Sequence, residues 1–164
     1  MTERKRTVGW ADPRQTAQDA RERAGLDFLK AVAAGELPAP PIAEVLGMRL
    51  VSVDSGSVAF TLDPAEFHYN PIGSVHGGVY ATLLDSAAGC AVHSTLPAGT
   101  GYTSLDLAMR FVRPITTDTG TVTCVGTVVH QGRRTAIAEA RLVDGAGRLL
   151  ATATSTCLIQ EAKR

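Results

Sequence analysis

The chain has 164 residues, 45% of them hydrophobic and 20% charged, which suits a single globular domain with a sizeable core. Sixteen basic residues balance sixteen acidic ones, so no charge excess asks for a nucleic acid or an anionic membrane as the main partner. Cys90, Cys124 and Cys157 are odd in number and lack metal-ligand spacing, and they read as reduced thiols of a cytoplasmic protein.

Residues 1–11 lack the apolar core of a secretory signal and read as a mobile tail. Asp12-Pro13 is a helix start, with Asp12 as cap and Pro13 at the first helical position. Ala17, Ala20, Ala24, Phe28 and Val32 follow a helical period, and Gly35 suits the stop, so one N-terminal helix is predicted over 13–34. Leu37-Pro38-Ala39-Pro40-Pro41 reads as a stiff extended connector. Residues 1–36 thus form a tail and helix ahead of a single domain over 37–164.

Strands are predicted at 47–54 and 57–63, joined by Asp54-Ser55-Gly56, with a loop over 64–75. From Val75 to Leu96 the chain holds no Lys, Arg or Glu, and Asp85 is its only formal charge. That run predicts a helix over 77–95, buried on most sides. Its length raises the question of a membrane span, but Asp85, His93 and the glycines at 77, 78 and 89 argue for a core helix instead. A lone carboxylate in such a helix costs several kcal/mol to desolvate, on the order of the penalty for a buried ion, unless something compensates or uses it. Just ahead, His76-Gly77-Gly78 supplies free backbone N–H groups at a helix start. An acid close to oxyanion donors is a pairing that acyl-transfer chemistry uses.

Beyond Pro97-Ala98-Gly99 the signal is all strand. Leu105, Leu107, Met109 and Phe111 alternate with polar or small residues, predicting one strand with that face buried. Residues 122–130, 135–143 and 149–159 are predicted as three further strands. The order is helix, two strands, a long buried helix and four strands. This gives an α+β fold in which one antiparallel sheet curls around a central helix.

The spacing Asn70…His76-Gly77-Gly78…Asp85, with Ser104-Leu105-Asp106 and Arg113-Pro114, resembles the hotdog-fold acyl-CoA thioesterases, in particular the phenylacetic-acid-pathway (PaaI) branch. The resemblance covers about residues 40–160. It implies thioester hydrolysis of an aromatic or medium-chain acyl-CoA, with no cofactor beyond the coenzyme A of the substrate and no metal. It also implies a homodimer at minimum, homotetramers being common in the family. In such a dimer Asn70, His76 and Gly77 of one chain face Asp85 of the other.

Under that resemblance the Gly77 N–H is the oxyanion donor and Asp85 the nucleophile or general base. The alternative for Asp85 is a buried acid that caps a loop from the partner or pairs with Arg110 or Arg113. Asn70 offers an amide to the carbonyl or water, yet Asn-Pro is also a common turn. His76 braces the helix start or polarises the Gly77 peptide. Ser104 matches a position that orients water or substrate, although strand parity puts it on the polar face with Asp106 unless a bulge re-aims it. Gly78 and Thr82 share a helix face with Asp85 and leave room for substrate. Arg133 and Arg134 suit the phosphates of coenzyme A, a solvated turn pair being the alternative. Tyr80, Leu83, Leu84, Tyr102 and Leu107 are candidates to line an acyl pocket. Two other readings stay open: a hotdog hydratase or dehydratase, faintly suggested by His68-Tyr69-Asn70-Pro71, and a non-enzymatic acyl-CoA sensor.

Overall fold

The computed structural model describes residues 3–161. Helices α1 (Pro13–Glu22), α2 (Gly25–Ala33) and α3 (Pro41–Leu46) precede strands β1 (Met48–Asp54) and β2 (Ser57–Leu62). The central helix α4 (Gly77–His93) follows. Strands β3 (Thr100–Ser104), β4 (Ala108–Phe111), β5 (Val122–Gln131), β6 (Thr135–Val143) and β7 (Leu149–Glu161) complete the chain. All seven strands form one antiparallel sheet in the order β1-β2-β5-β6-β7-β3, with β4 also paired to β7. The sheet wraps α4, which packs on β2, β5, β6 and β7. This is the predicted α+β architecture. No helix among the described residues is long and apolar enough to cross a membrane.

Small residues set how closely helix and sheet approach. Ala87, Ala88 and Ala91 of α4, and Ala136, Ala138 and Ala140 of β6, which packs on α4, are all buried, each at most 1% exposed. Gly126 of β5 is the tightest point, because a Cβ there would lie 2.0 Å from the Ala87 carbonyl oxygen. Gly126→Ala is therefore expected to destabilise the fold by about 3 kcal/mol, the upper part of the usual overpacking range. Urea unfolding measures it, and an unchanged midpoint would show that helix and sheet separate more easily than this packing implies.

Three departures from the predicted elements have local causes. The single helix over 13–34 is broken at Arg23–Ala24, where Ala24 is extended. The break lets Gly25 dock on the end of α4: its N–H donates to the Leu96 carbonyl at 3.0 Å, and a Cβ would meet the His93 carbonyl oxygen at 1.8 Å. The connector expected through Pro41 instead turns into α3, which starts on Pro40-Pro41 and ends on Gly47 in the left-handed conformation (φ 72°). Residues 3–11 carry no regular element but are pinned to the surface. Arg4 pairs with Glu66 at 2.7 Å, and the Arg6 guanidinium lies 3.8 Å from the Phe67 ring centre while donating to the Glu44 and Val45 carbonyls.

The strand expected over 105–111 is also interrupted. Ser104 pairs with Cys157 and Ala108 with Thr154, so four steps on one side oppose three on the other. The extra residue is absorbed by a bulge at Leu105-Asp106-Leu107, where Asp106 Oδ1 accepts the Thr156 N–H at 2.9 Å. Parity flips there. Thr100, Tyr102 and Ser104 face inward before the bulge, Leu107 and Met109 after it. Leu105 and Phe111, expected in the core, are 57% and 59% exposed.

Candidate active site

The bulge brings the first pair of groups together. Because Ser104 ends β3 on its inward face, its hydroxyl donates to Asp85 Oδ1 at 2.9 Å. Asp85 sits midway along α4, half-buried, with no basic side chain in ion-pair range among the described residues. Arg110 and Arg113, its alternative partners, donate instead to the Met109 and Leu149 carbonyls. The ion-paired alternative for Asp85 is therefore not formed within the chain. Behind this pair lie Cys157, opposite Ser104 in the sheet, and Tyr102 and Cys90. Burial, with the Asp85 charge second, pushes the Cys90 thiol up to about 12, so it stays a neutral packing group.

The second cluster is at the N-terminus of α4. His76 is the N-cap, and its Nδ1 accepts the Gly78 N–H at 2.8 Å. The Val79 N–H bonds the His76 carbonyl. Gly77 N–H is left with no acceptor among the described residues, at the positive end of a 17-residue helix. Phe111 lies across it, 3.0 Å from where a Gly77 Cβ would be. Gly77, Asn70, Ser74 and Phe111 share one groove of about 390 Å³.

Asn70 is largely committed to its loop. Its Oδ1 accepts from the Ile72 and Ser74 N–H groups, and its Nδ2 donates to Ser74 Oγ at 3.2 Å, which leaves one amide hydrogen for a ligand. Thr82 Oγ1 donates back to the Gly78 carbonyl at 2.9 Å. The side chain of His76 is exposed and spent on the cap. His76→Ala is expected to cost about 1 kcal/mol of stability, the usual worth of an N-cap. A matched loss in thermal unfolding with kcat within a few-fold would fit a bracing role; a large kcat loss without destabilisation would contradict it.

The two clusters do not meet in one chain. Gly77 and Asp85 are eight residues apart on a single straight element, about 12 Å along its axis. Arg133 and Arg134 lie elsewhere again, exposed at the turn between β5 and β6, beside Leu96 and Pro97 beyond the C-terminal end of α4. Of the acyl-pocket candidates, Leu83 and Leu84 belong to the sealed core, each at most 1% exposed, and Tyr80, 3% exposed, lines the Gly77 groove. His68, the residue behind the hydratase reading, is buried with both ring nitrogens engaged, by the Leu46 carbonyl at 2.8 Å and the Ala65 N–H at 3.0 Å. Sequence reasoning missed the role of Phe111 over Gly77, because alternation alone placed that ring in the core.

The thioesterase superfamily profile matches residues 72–151. Human acyl-coenzyme A thioesterase 13 is 32% identical over 114 residues, which cover 68% of this chain and 80% of that protein. The 1,4-dihydroxy-2-naphthoyl-CoA hydrolase of Listeria monocytogenes is 24% identical over 74% of this chain and 97% of that one. Among solved structures, the phenylacetic acid degradation-related protein of Ralstonia eutropha superposes with a TM-score of 0.72 at 30% identity, covering 79% of this chain and 98% of that one.

Proposed function

The chain belongs to the thioesterase superfamily, and from that premise we propose that it is an acyl-CoA thioesterase of the phenylacetic-acid-pathway branch whose active site is shared between two copies. The observation that carries this reading is the pair of half-sites on α4: an unpaired Gly77 N–H at its start, and a carboxylate oriented by Ser104 about 12 Å further on. As a thioester hydrolase, the protein needs a donor for the carbonyl oxygen and a carboxylate for water or carbon within one substrate's reach. A two-fold partner supplies that by setting Gly77 of one protomer opposite Asp85 of the other.

The surface beside the half-sites supports such a partner. Among the described residues, strands β3 and β4 pair only with β7, which leaves their outer edge without a partner strand. Leu105, Phe111 and Val112 stand exposed along it, and Ile72 on the neighbouring loop is 86% exposed. A second copy pairing edge to edge extends the sheet and covers these side chains.

In the reaction the thioester carbonyl oxygen accepts the Gly77 N–H, reinforced by the helix dipole. Ser104 holds Asp85 Oδ1, leaving Oδ2 to take a proton from water, or to attack the carbonyl carbon itself, expelling the coenzyme A thiolate and forming a mixed anhydride that water then hydrolyses to the acid and free Asp85. In the first course hydroxide adds to the carbonyl, the tetrahedral intermediate collapses, and the coenzyme A thiolate leaves with the proton from Asp85. Asn70, with one amide hydrogen left to donate, lines the same groove. Arg133 and Arg134, which form no ion pair among the described residues, meet the coenzyme A phosphates. The three free thiols fit a reducing cytoplasmic setting.

Thiol release from a panel of acyl-CoAs tests the reading, with enoyl-thioester absorbance followed in parallel. Stoichiometric thiol release is expected. A change in enoyl absorbance without thiol points to a hydratase, and tight binding without either points to a sensor.

A further inference from the structure

A second cavity lies away from Gly77. It has a volume of about 690 Å³ and lies under the N-terminal helices, between them, the β1–β2 edge and the second half of α4. Phe28, Leu29 and Val32 of α2, Leu50 of β1 and Phe60 of β2 give it apolar walls. Its inner wall is Cys90 and His93 of α4 with Tyr102 of β3. His93 stands between two aromatic rings, 5.7 Å from both Phe28 and Tyr102, and burial lowers its pKa, so it faces the cavity as a neutral ring.

Two features tie this cavity to Asp85. Tyr102 and Ser104 are alternate residues on the inward face of β3, about 7 Å apart along the strand. One touches the carboxylate; the other walls the cavity. On the helix, Gly89 follows Asp85 by one turn, and a Cβ there would lie 2.5 Å from the Tyr102 hydroxyl, so the glycine is what lets the ring sit against α4.

We propose that this cavity is the acyl pocket, and that it fits an apolar acyl chain of medium length or longer. The thioester sits at Asp85, and the chain enters toward His93 and Phe28 once the Tyr102 ring, which closes the inner wall against Gly89, turns aside. This rests on the thioesterase reading above and names its substrate class. From Asp85 to His93 the helix advances about 12 Å, a span that an acetyl group leaves empty. The volume lies within the range of sites that enclose a whole drug-sized ligand, about 300–1,000 Å³. The outer end is ringed by exposed Gly35, Glu44 and Arg49, so a chain longer than the cavity has an exit. The walls come mostly from residues ahead of 72, outside the segment that the superfamily profile matches. The added helices are thereby given a purpose in selecting substrate.

The test compares kcat/KM for dodecanoyl-CoA and acetyl-CoA in the wild type, Val32→Trp and Leu50→Trp. The wild-type ratio is expected to favour dodecanoyl by at least about a hundredfold. Each tryptophan, filling the cavity from a different element, is expected to cut that ratio at least about tenfold. A variant that merely folds badly loses both activities together and leaves the ratio alone. Thiol release from acetyl- or phenylacetyl-CoA with a wild-type ratio near one, or a ratio unmoved by both tryptophans, overturns the inference while the thioesterase reading stands. Should no chain length release thiol, calorimetric binding decides separately. Dodecanoyl-CoA binding more tightly than acetyl-CoA and weakened by Val32→Trp sustains the pocket, and equal affinities overturn it.

Discussion

Asp85→Asn is expected to lower kcat for thiol release by at least about 10²-fold, the lower bound of what a positioned acid or base contributes. The substitution keeps the size of the side chain and leaves an oxygen for the Ser104 hydroxyl, which reaches Asp85 at 2.9 Å. It removes the negative charge and the ability to take a proton or attack carbon. No cation sits in ion-pair range of Asp85 among the described residues, so removing its charge strands no buried partner. Stability is therefore expected to hold or rise slightly, which separates a chemical effect from a folding one. The loss should appear equally in kcat and kcat/KM, as for an interaction made only in the transition state. Full activity in Asp85→Asn would remove the carboxylate from the chemistry.

Gly77→Pro is the matching change at the other half-site. It deletes the single N–H that the capping arrangement leaves unpaired, since Gly78 N–H is held by His76 Nδ1 and Val79 N–H by the His76 carbonyl. Proline is well tolerated at the first helical position. His76 is already extended at ψ 139°, as the residue before a proline must be. The neighbour that has to yield is Phe111, an exposed ring whose edge lies 3.0 Å from the new Cβ position. Loss of one oxyanion donor is expected to cost about 10²–10³ in kcat. A Gly77→Ala control keeps the N–H while meeting the same ring, so it reports the steric part alone. Equal losses in both would assign the effect to Phe111 rather than to the amide.

What the sequence made legible was whatever a short window encodes. Helix α4 showed itself because one charge stands in a run of small and apolar residues, and its start was marked by His76-Gly77-Gly78. The hairpin at Asp54-Ser55-Gly56 showed itself in the same way, Gly56 taking the positive φ of 81° that the turn requires. What stayed hidden depends on contacts distant in sequence. The aim of Ser104 is set by one extra residue opposite β7, and alternation cannot register a bulge. The break before Gly25 is set by the His93 carbonyl, 68 residues away. Helix α3 was masked by the prolines that start it. The cavity under the N-terminal helices needed four helices and three strands to be placed before its walls could be seen.

The central claim is that one active site takes Gly77 from one copy and Asp85 from another, and mixing two inactive variants tests it most directly. Gly77→Pro and Asp85→Asn chains are unfolded together in equal amounts, refolded, and assayed for thiol release. In a two-fold dimer each hybrid carries one site with both changes and one with neither. Half of the randomly formed dimers are hybrids, so about a quarter of wild-type activity is predicted from two parents that each have almost none. Activity that stays at the level of the separate parents would contradict the shared site and place both groups, or neither, within a single chain.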